Sequence, residues 1–243
     1  DCTVDPRRSN PSRRQFLRGA AALTLASTFA PSAFTKEAYL PKPENIMSPE
    51  AALERLVKGN ERYASGNSAP HDYVSARASL VKAQNPFACV LGCSDSRVGP
   101  EICFDESLGD LFVTRIAGNY LNLDILASLE YGTAVLGAPI IMVLGHTKCG
   151  AVSAAVKAEQ ENTEFPGHIQ IISSALAPAV QRLGTRGLNT EELIEAVTIE
   201  NIRDNVTMLR RSTPLLNRRV QEGKLRVVGG LYNLDTGKVT LVT

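Results

Sequence analysis

Two runs of small and branched apolar residues, 87–92 and 139–145, each end in a glycine followed at once by residues that can do chemistry. The first leads into Cys93-Ser94-Asp95-Ser96-Arg97 and the second into His146-Thr147-Lys148-Cys149-Gly150. Apolar runs of this length without polar alternation fit strands buried on both faces, as in a parallel sheet, rather than half-solvated antiparallel strands. Loops leaving the C-terminal ends of such strands are where open α/β sheets place their functional groups. The two segments therefore restrict the chain to an α/β fold with its chemistry at one end of the sheet.

The remaining text supports that class. Ser48-Pro49-Glu50 has the N-cap, first-turn proline and acidic first turn of a helix start, and Leu53, Leu56, Val57 and Tyr63 continue as an apolar stripe as far as Gly66. Further helices are expected over 73–83, 100–104, 123–136, 149–159, 169–183, 190–211 and 214–221, and strands over 111–116, 224–232 and 238–242, the last two joined as a hairpin. The expected architecture is a central, mostly parallel β-sheet of four strands plus a C-terminal antiparallel edge strand, flanked by helices. With no Trp and 5% aromatic residues the core must be aliphatic. Lys and Arg total 26 against 25 Asp and Glu, a balance that gives no electrostatic footprint for nucleic acid.

The N-terminal text differs in kind. Ser12-Arg13-Arg14-Gln15-Phe16-Leu17-Arg18 precedes an uncharged, Ala-rich stretch to Ala33. This resembles a twin-arginine export signal, and ~15 apolar residues are too few to span a ~30 Å hydrocarbon core permanently. The organisation expected is a signal peptide over 1–34, a linker over 35–47 and a catalytic domain over 48–243, exported to the periplasm or an equivalent compartment with no permanent membrane span. Such a route carries folded, metal-loaded proteins, so Cys93 and Cys149 would reach an oxidising compartment as metal thiolates. The five cysteines form no disulfide framework: Cys2 lies in the leader, and Cys89 and Cys103 read as buried small hydrophobes.

Cys93, His146 and Cys149 are three ligands suited to Zn²⁺, and a catalytic zinc site keeps its fourth position for water or substrate. A structural zinc would close with a fourth Cys or His, and none is evident. Two thiolates and an imidazole make a neutral, weakly Lewis-acidic site, so a bound water needs help to ionise. Asp95, on the same loop, is the helper, and Arg97 can hold it with a planar fork. His71 and His168 read as surface residues.

Cys-Ser-Asp-Ser-Arg-Val at 93–98 and His-x-x-Cys-Gly-Ala-Val at 146–152 resemble the two zinc motifs of the β-class carbonic anhydrases. Gly59-Asn-Glu-Arg-Tyr63, Gly109-Asp-Leu-Phe-Val113, Arg115-Ile-Ala-Gly-Asn119 and Ser128-Leu-Glu-Tyr131 match as well, and the likeness runs from about residue 48 to the C-terminus. The resemblance implies reversible hydration of CO₂ to bicarbonate and a proton through zinc-bound hydroxide, with one Zn²⁺ per subunit held by Cys93, His146 and Cys149. It implies that Asp95 and Arg97 orient the hydroxide, that the backbone at Gly150 and the Gln84 side chain contact substrate, and that Phe112, Ala117 and Tyr131 form the apolar wall for CO₂. Part of that wall comes from a neighbouring subunit in this family, so a homodimer or larger homo-oligomer is implied, the helix from Ser48 packing across onto the partner. Some members are closed by bicarbonate at a Trp-Arg-Tyr set. Arg115 and Tyr232 match it, but Val90 replaces the Trp, which favours the open form. Lys148 departs from the small residue often found there. Two other readings fit the same fold: a non-catalytic zinc-binding sensor, and a hydrolase of CS₂ or COS.

Overall fold

The computed structural model describes residues 40–184 and 187–242, so the segment read as an export signal lies outside the described residues. The chain order is α1 (Pro49–Ala64), α2 (Tyr73–Leu80), β1 (Ala88–Gly92), α3 (Pro100–Cys103), β2 (Leu111–Arg115), α4 (Leu123–Glu130), β3 (Ile140–His146), α5 (Gly150–Glu161), α6 (Ile169–Leu183), α7 (Thr190–Arg211), α8 (Leu216–Gln221), β4 (Arg226–Tyr232) and β5 (Val239–Leu241). The strands form one sheet in the order β2-β1-β3-β4-β5. The first four are parallel and β5 pairs antiparallel with β4, as the sequence pattern indicates.

All five residues of β1 and all seven of β3 are buried, which is why neither strand shows polar alternation. Alternate side chains serve opposite faces. Val90, Met142, Leu144 and Val228 pack with Leu56 of α1 on one side. Cys89, Leu91, Ile141, Val143 and Val227 pack with Leu129 of α4 and Ile202 and Val206 of α7 on the other. A third cluster, built by α5, α6 and α7, includes Cys93 and Cys149 and backs the C-terminal end of the sheet.

Local signals act where expected. Ser48 caps α1 by accepting from the Ala51 amide, and Asn189 with Glu192 forms a capping box at the start of α7. The helix expected over 123–136 stays α-helical only to Glu130 and continues as a π-turn over Tyr131–Val135. Thr133 bonds back to the Leu129 and Glu130 carbonyls there, and Gly132 lies so close to β1 that a Cβ would sit 2.5 Å from the Cys89 sulfur. Residues 43–45, within the expected linker, form a 3₁₀ turn against the sheet, with Asn45 buried and Lys42 Nζ 2.8 Å from Asp110. No described helix is long and apolar enough to cross a membrane.

Candidate metal centre

β1 and β3 are hydrogen-bonded neighbours, with Gly92 opposite Leu144, so their C-terminal ends emerge side by side. That register carries Cys93 to the His146–Cys149 turn across more than fifty residues of sequence. The Cys93, His146 and Cys149 ligand atoms all lie within 4.8 Å of one another, and all three residues are buried. The two sulfurs are 4.0 Å apart.

The protonation pattern suits a cation. His146 Nδ1 is 2.9 Å from the Thr147 carbonyl, which can only accept, so Nδ1 carries the proton. That leaves Nε2 as an unprotonated nitrogen, fully buried and without a hydrogen-bond partner. A buried orphan lone pair is costly unless something electrophilic meets it. Cys149 occupies the N-cap of α5, whose positive end favours thiolate. The hydrogen bond from Cys149, opposed by burial, holds the Cys93 thiol well below its ordinary value, helped by the bond from the Gly118 amide. The Cys149 thiol is pushed up by its bond to Cys93 and by burial, so the pair behaves as one thiol donating to one thiolate. Two soft sulfurs and a bare imidazole nitrogen, mutually this close, are a donor set that fits Zn²⁺.

Asp95 and Arg97 form the pair that the sequence suggests. Arg97 donates from Nε to Oδ1 at 2.9 Å and from Nη2 to Oδ2 at 2.7 Å, and its backbone amide donates to Oδ1 at 3.0 Å. Those bonds, Arg97's side chain first, outweigh partial burial and hold the Asp95 carboxyl well below the usual carboxylate range. Asp95 Oδ2 stands 3.7 Å from His146 Nε2, turned to the ligand cluster while bound to Arg97. Arg97 Nη2 also reaches the Lys148 carbonyl. Arg115 braces the loop beneath, donating to the carbonyls of Cys93, Asp95 and Val98 at 2.6–2.9 Å.

Lys148 has a left-handed backbone, φ 55°, in the tight turn between the two ligands, and its ammonium pairs with Asp235 at the rim. Gly150 is exposed, with open space where a Cβ would stand. Ala117 joins the site through the next residue, since the Gly118 amide donates to the Cys93 sulfur at 3.3 Å.

The other expected substrate contacts lie elsewhere. Gln84 is exposed before the start of β1, at the end of the sheet opposite Cys93. Phe112 pairs in register with Cys89, four residues short of Cys93, and its ring packs 6.1 Å from that of Tyr131. Within one chain these three do not approach the ligands. Val90 is buried in the core, and Tyr232 bonds the Tyr63 hydroxyl at 3.1 Å, so neither opens onto the site. His71 corrects the sequence reading. It is not a free surface residue: its Nε2 lies 3.1 Å from the buried Asp105 carboxylate, a partner 34 positions away that local pattern could not reveal. His168 is exposed.

A family model described as carbonic anhydrase matches residues 88–239. Carbonic anhydrase 2 of Mycobacterium tuberculosis is 39% identical over 196 residues, covering 80% of this chain and 93% of the relative. The carbonic anhydrase of Mycolicibacterium smegmatis is 37% identical over 195 residues, with the same coverage of 80% and 93%. Among solved structures, the β-carbonic anhydrase CcaA is 30% identical, with a TM-score of 0.62 over 78% of this chain and 94% of that one. A β-carbonic anhydrase structure from Sordaria macrospora, 20% identical with a TM-score of 0.65 over 79% and 96% of the two chains, shares the fold.

Proposed function

We propose, on the premise that this chain belongs to the β-class carbonic anhydrase family and hydrates CO₂ reversibly to bicarbonate and a proton at a zinc site, specific roles for its residues. Cys93, His146 and Cys149 hold the metal. Zinc bound there supplies Lewis acidity, which makes a water easier to ionise near neutral pH. Asp95 remains ionised beside Arg97, so it is an acceptor only. It takes a hydrogen bond from the reacting water and leaves that oxygen's lone pair free to face the carbon of CO₂. Arg97 bonds both carboxylate oxygens, which supports the open form of the site. Open space at Gly150 leaves room for a small linear substrate. The observation that carries this reading is the buried Nε2 of His146, left bare beside two sulfurs with the Asp95–Arg97 pair turned toward it.

The active unit we propose is at least a homodimer. Gln84, Phe112 and Tyr131 sit at the wrong end of their own sheet to serve their own metal, yet Gln84 and Tyr131 are exposed and available to a partner's. Val74 and Val81, 68% and 79% exposed, and Leu123, 83% exposed, add apolar surface of the kind that marks an interface. A mixing experiment tests this. Cys149→Ser lacks a ligand and Gln84→Ala lacks the substrate contact, so mixed dimers rebuild one complete site and recover CO₂ hydration by stopped flow. No recovery, with subunit exchange demonstrated, overturns the shared site. The Arg13-Arg14 segment supports export by the twin-arginine route. Arg13→Lys with Arg14→Lys should hold the protein in the cytoplasm on fractionation, and unchanged export would refute that reading.

A further inference from the structure

Behind the metal ligands, the buried face of α7 carries three polar residues, Thr198, whose hydroxyl bonds back to the Ile194 carbonyl, and Asn201 and Asn205, at 4% and 3% exposure. The two asparagine amides form a directional chain. The Leu121 amide donates to Asn205 Oδ1 at 2.6 Å, and Asn205 Nδ2 donates to Asn201 Oδ1 at 2.9 Å and to the Asn201 carbonyl at 2.7 Å. With its oxygen occupied, the Asn201 amide must present Nδ2 to the far side, where it donates to the Gly118 carbonyl at 2.9 Å. The Gly118 amide in turn donates to the Cys93 sulfur at 3.3 Å. Gly118 stands at φ +82° and a Cβ there would come within 2.9 Å of Leu176, so no other residue holds this backbone position without strain.

We propose that Asn201 is a positioning residue: by holding the Gly118 carbonyl it restrains rotation about the Gly118 α-carbon and so keeps the amide of the preceding peptide aimed at the Cys93 sulfur, setting how strongly that sulfur donates to zinc. The inference rests on Cys93 being a metal ligand. A hydrogen bond to a thiolate draws electron density from sulfur, as outer-shell bonds tune other metal sites. In a site of two thiolates and one imidazole, weak in Lewis acidity, that withdrawal matters more than it would with three imidazoles. One helix residue with no metal contact thus governs one ligand's donor strength through a single glycine.

The test uses Asn201→Asp, which keeps the volume and the bond from Asn205 but cannot donate to Gly118, alongside Asn201→Ala. In folded variants, zinc affinity measured by chelator competition should fall by about tenfold to 100-fold, because the loop that presents Cys93 is no longer held in place, even though the freed sulfur is the stronger donor. The sulfur-to-metal charge-transfer band of the Co²⁺ form should move to longer wavelength as Cys93 loses its hydrogen bond. A purely structural role would lower thermal stability without moving that band. Unchanged affinity and an unchanged band in a folded variant overturn the proposal. Should neither variant fold, the wild-type protein loaded with an NMR-active cadmium isotope decides. A scalar coupling between cadmium and the Gly118 amide proton sustains the proposal, and its absence overturns it. A wild-type protein that binds no metal would instead refute the ligand assignment itself.

Discussion

The two ends of the sheet both bury charged and polar groups, but they treat them in opposite ways. At the N-terminal end, carboxylates are saturated. Glu106 takes three bonds from Arg55, while Asp110 accepts from Asn45 and the Ser107 amide and pairs with Lys42 and Arg55. Asp105 receives Arg62, His71 and the Ala69 amide. At the C-terminal end, the His146 Nε2 lone pair has no partner, and both amide atoms of Asn119, next to Gly118, have none either. Saturation marks a cluster whose work is finished when the chain folds. An orphaned lone pair among soft donors, unlike the lone orphan Arg219 Nε on α8, marks a site that a metal could satisfy.

Cys149→Ser should break the comparison most sharply at the C-terminal end. Zinc content is expected to fall from about one per chain to a small fraction, with activity lost alongside, because a weakly acidic hydroxyl replaces a thiolate ligand. Retention of full zinc by metal analysis would remove Cys149 from the ligand set. Asp95→Asn separates holding the metal from using it: zinc stays bound while kcat drops by about 100-fold or more, since an amide can donate where only an acceptor serves. Wild-type turnover in that variant would take Asp95 out of the mechanism.

The opposite end should respond in stability and not in chemistry. Arg55→Ala leaves Glu106 without its counter-charge and Asp110 with fewer partners, at a cost of about 3 kcal/mol by denaturant unfolding. Zinc stoichiometry and kcat per folded molecule are expected to hold. A loss of kcat without loss of stability would show that the two ends are coupled more closely than their contacts suggest.

The smallest effect concerns acid. Burial pushes Asp105 and Asp110 up, but bonds from Arg62 and the Ala69 amide at one, and from Lys42 and Asn45 at the other, outweigh it and leave both carboxyls below their ordinary values. A carboxyl depressed by folding contributes stability that is present above its unfolded pKa, ~4, and lost as the pH falls through the folded one. Glu106 acts the other way, raised by burial despite Arg55, so it offsets part of that loss. Asp110→Asn should therefore lower stability at pH 7 and flatten the decline below about pH 4. An unchanged acid limb in thermal melts would exclude Asp110 as its source.

Much of this molecule is legible in local text. Unbroken apolar runs announce β1 and β3 because burial on both faces removes polar alternation, and Ser48 marks the start of α1 because capping is settled within four residues. The Asp95–Arg97 pair could be read because its members are two positions apart on one loop. His71 and the linker residues before Ser48 were harder, since their partners, Asp105 and Asp110, are distant in sequence. Asn201 and Asn205 left a fainter signal: amides four apart on one face of α7, which a buried helix face carries only when both find partners.

The sequence by itself determined the α/β class, the Cys93, His146 and Cys149 donor set and the Asp95–Arg97 pair beside it, because residue type and short spacing carry that information. Only the tertiary structure decided that His146 presents a bare Nε2, that Gly118 and α7 stand behind the Cys93 sulfur, and that Gln84 and Phe112 lie toward the end of the sheet away from the Cys93–His146–Cys149 cluster. Those facts depend on strand register and on which polar groups meet after packing. Folding brings together groups such as Gly118 and Cys93, 25 positions apart, and Asn201 and Gly118, 83 apart, where no local pattern reaches.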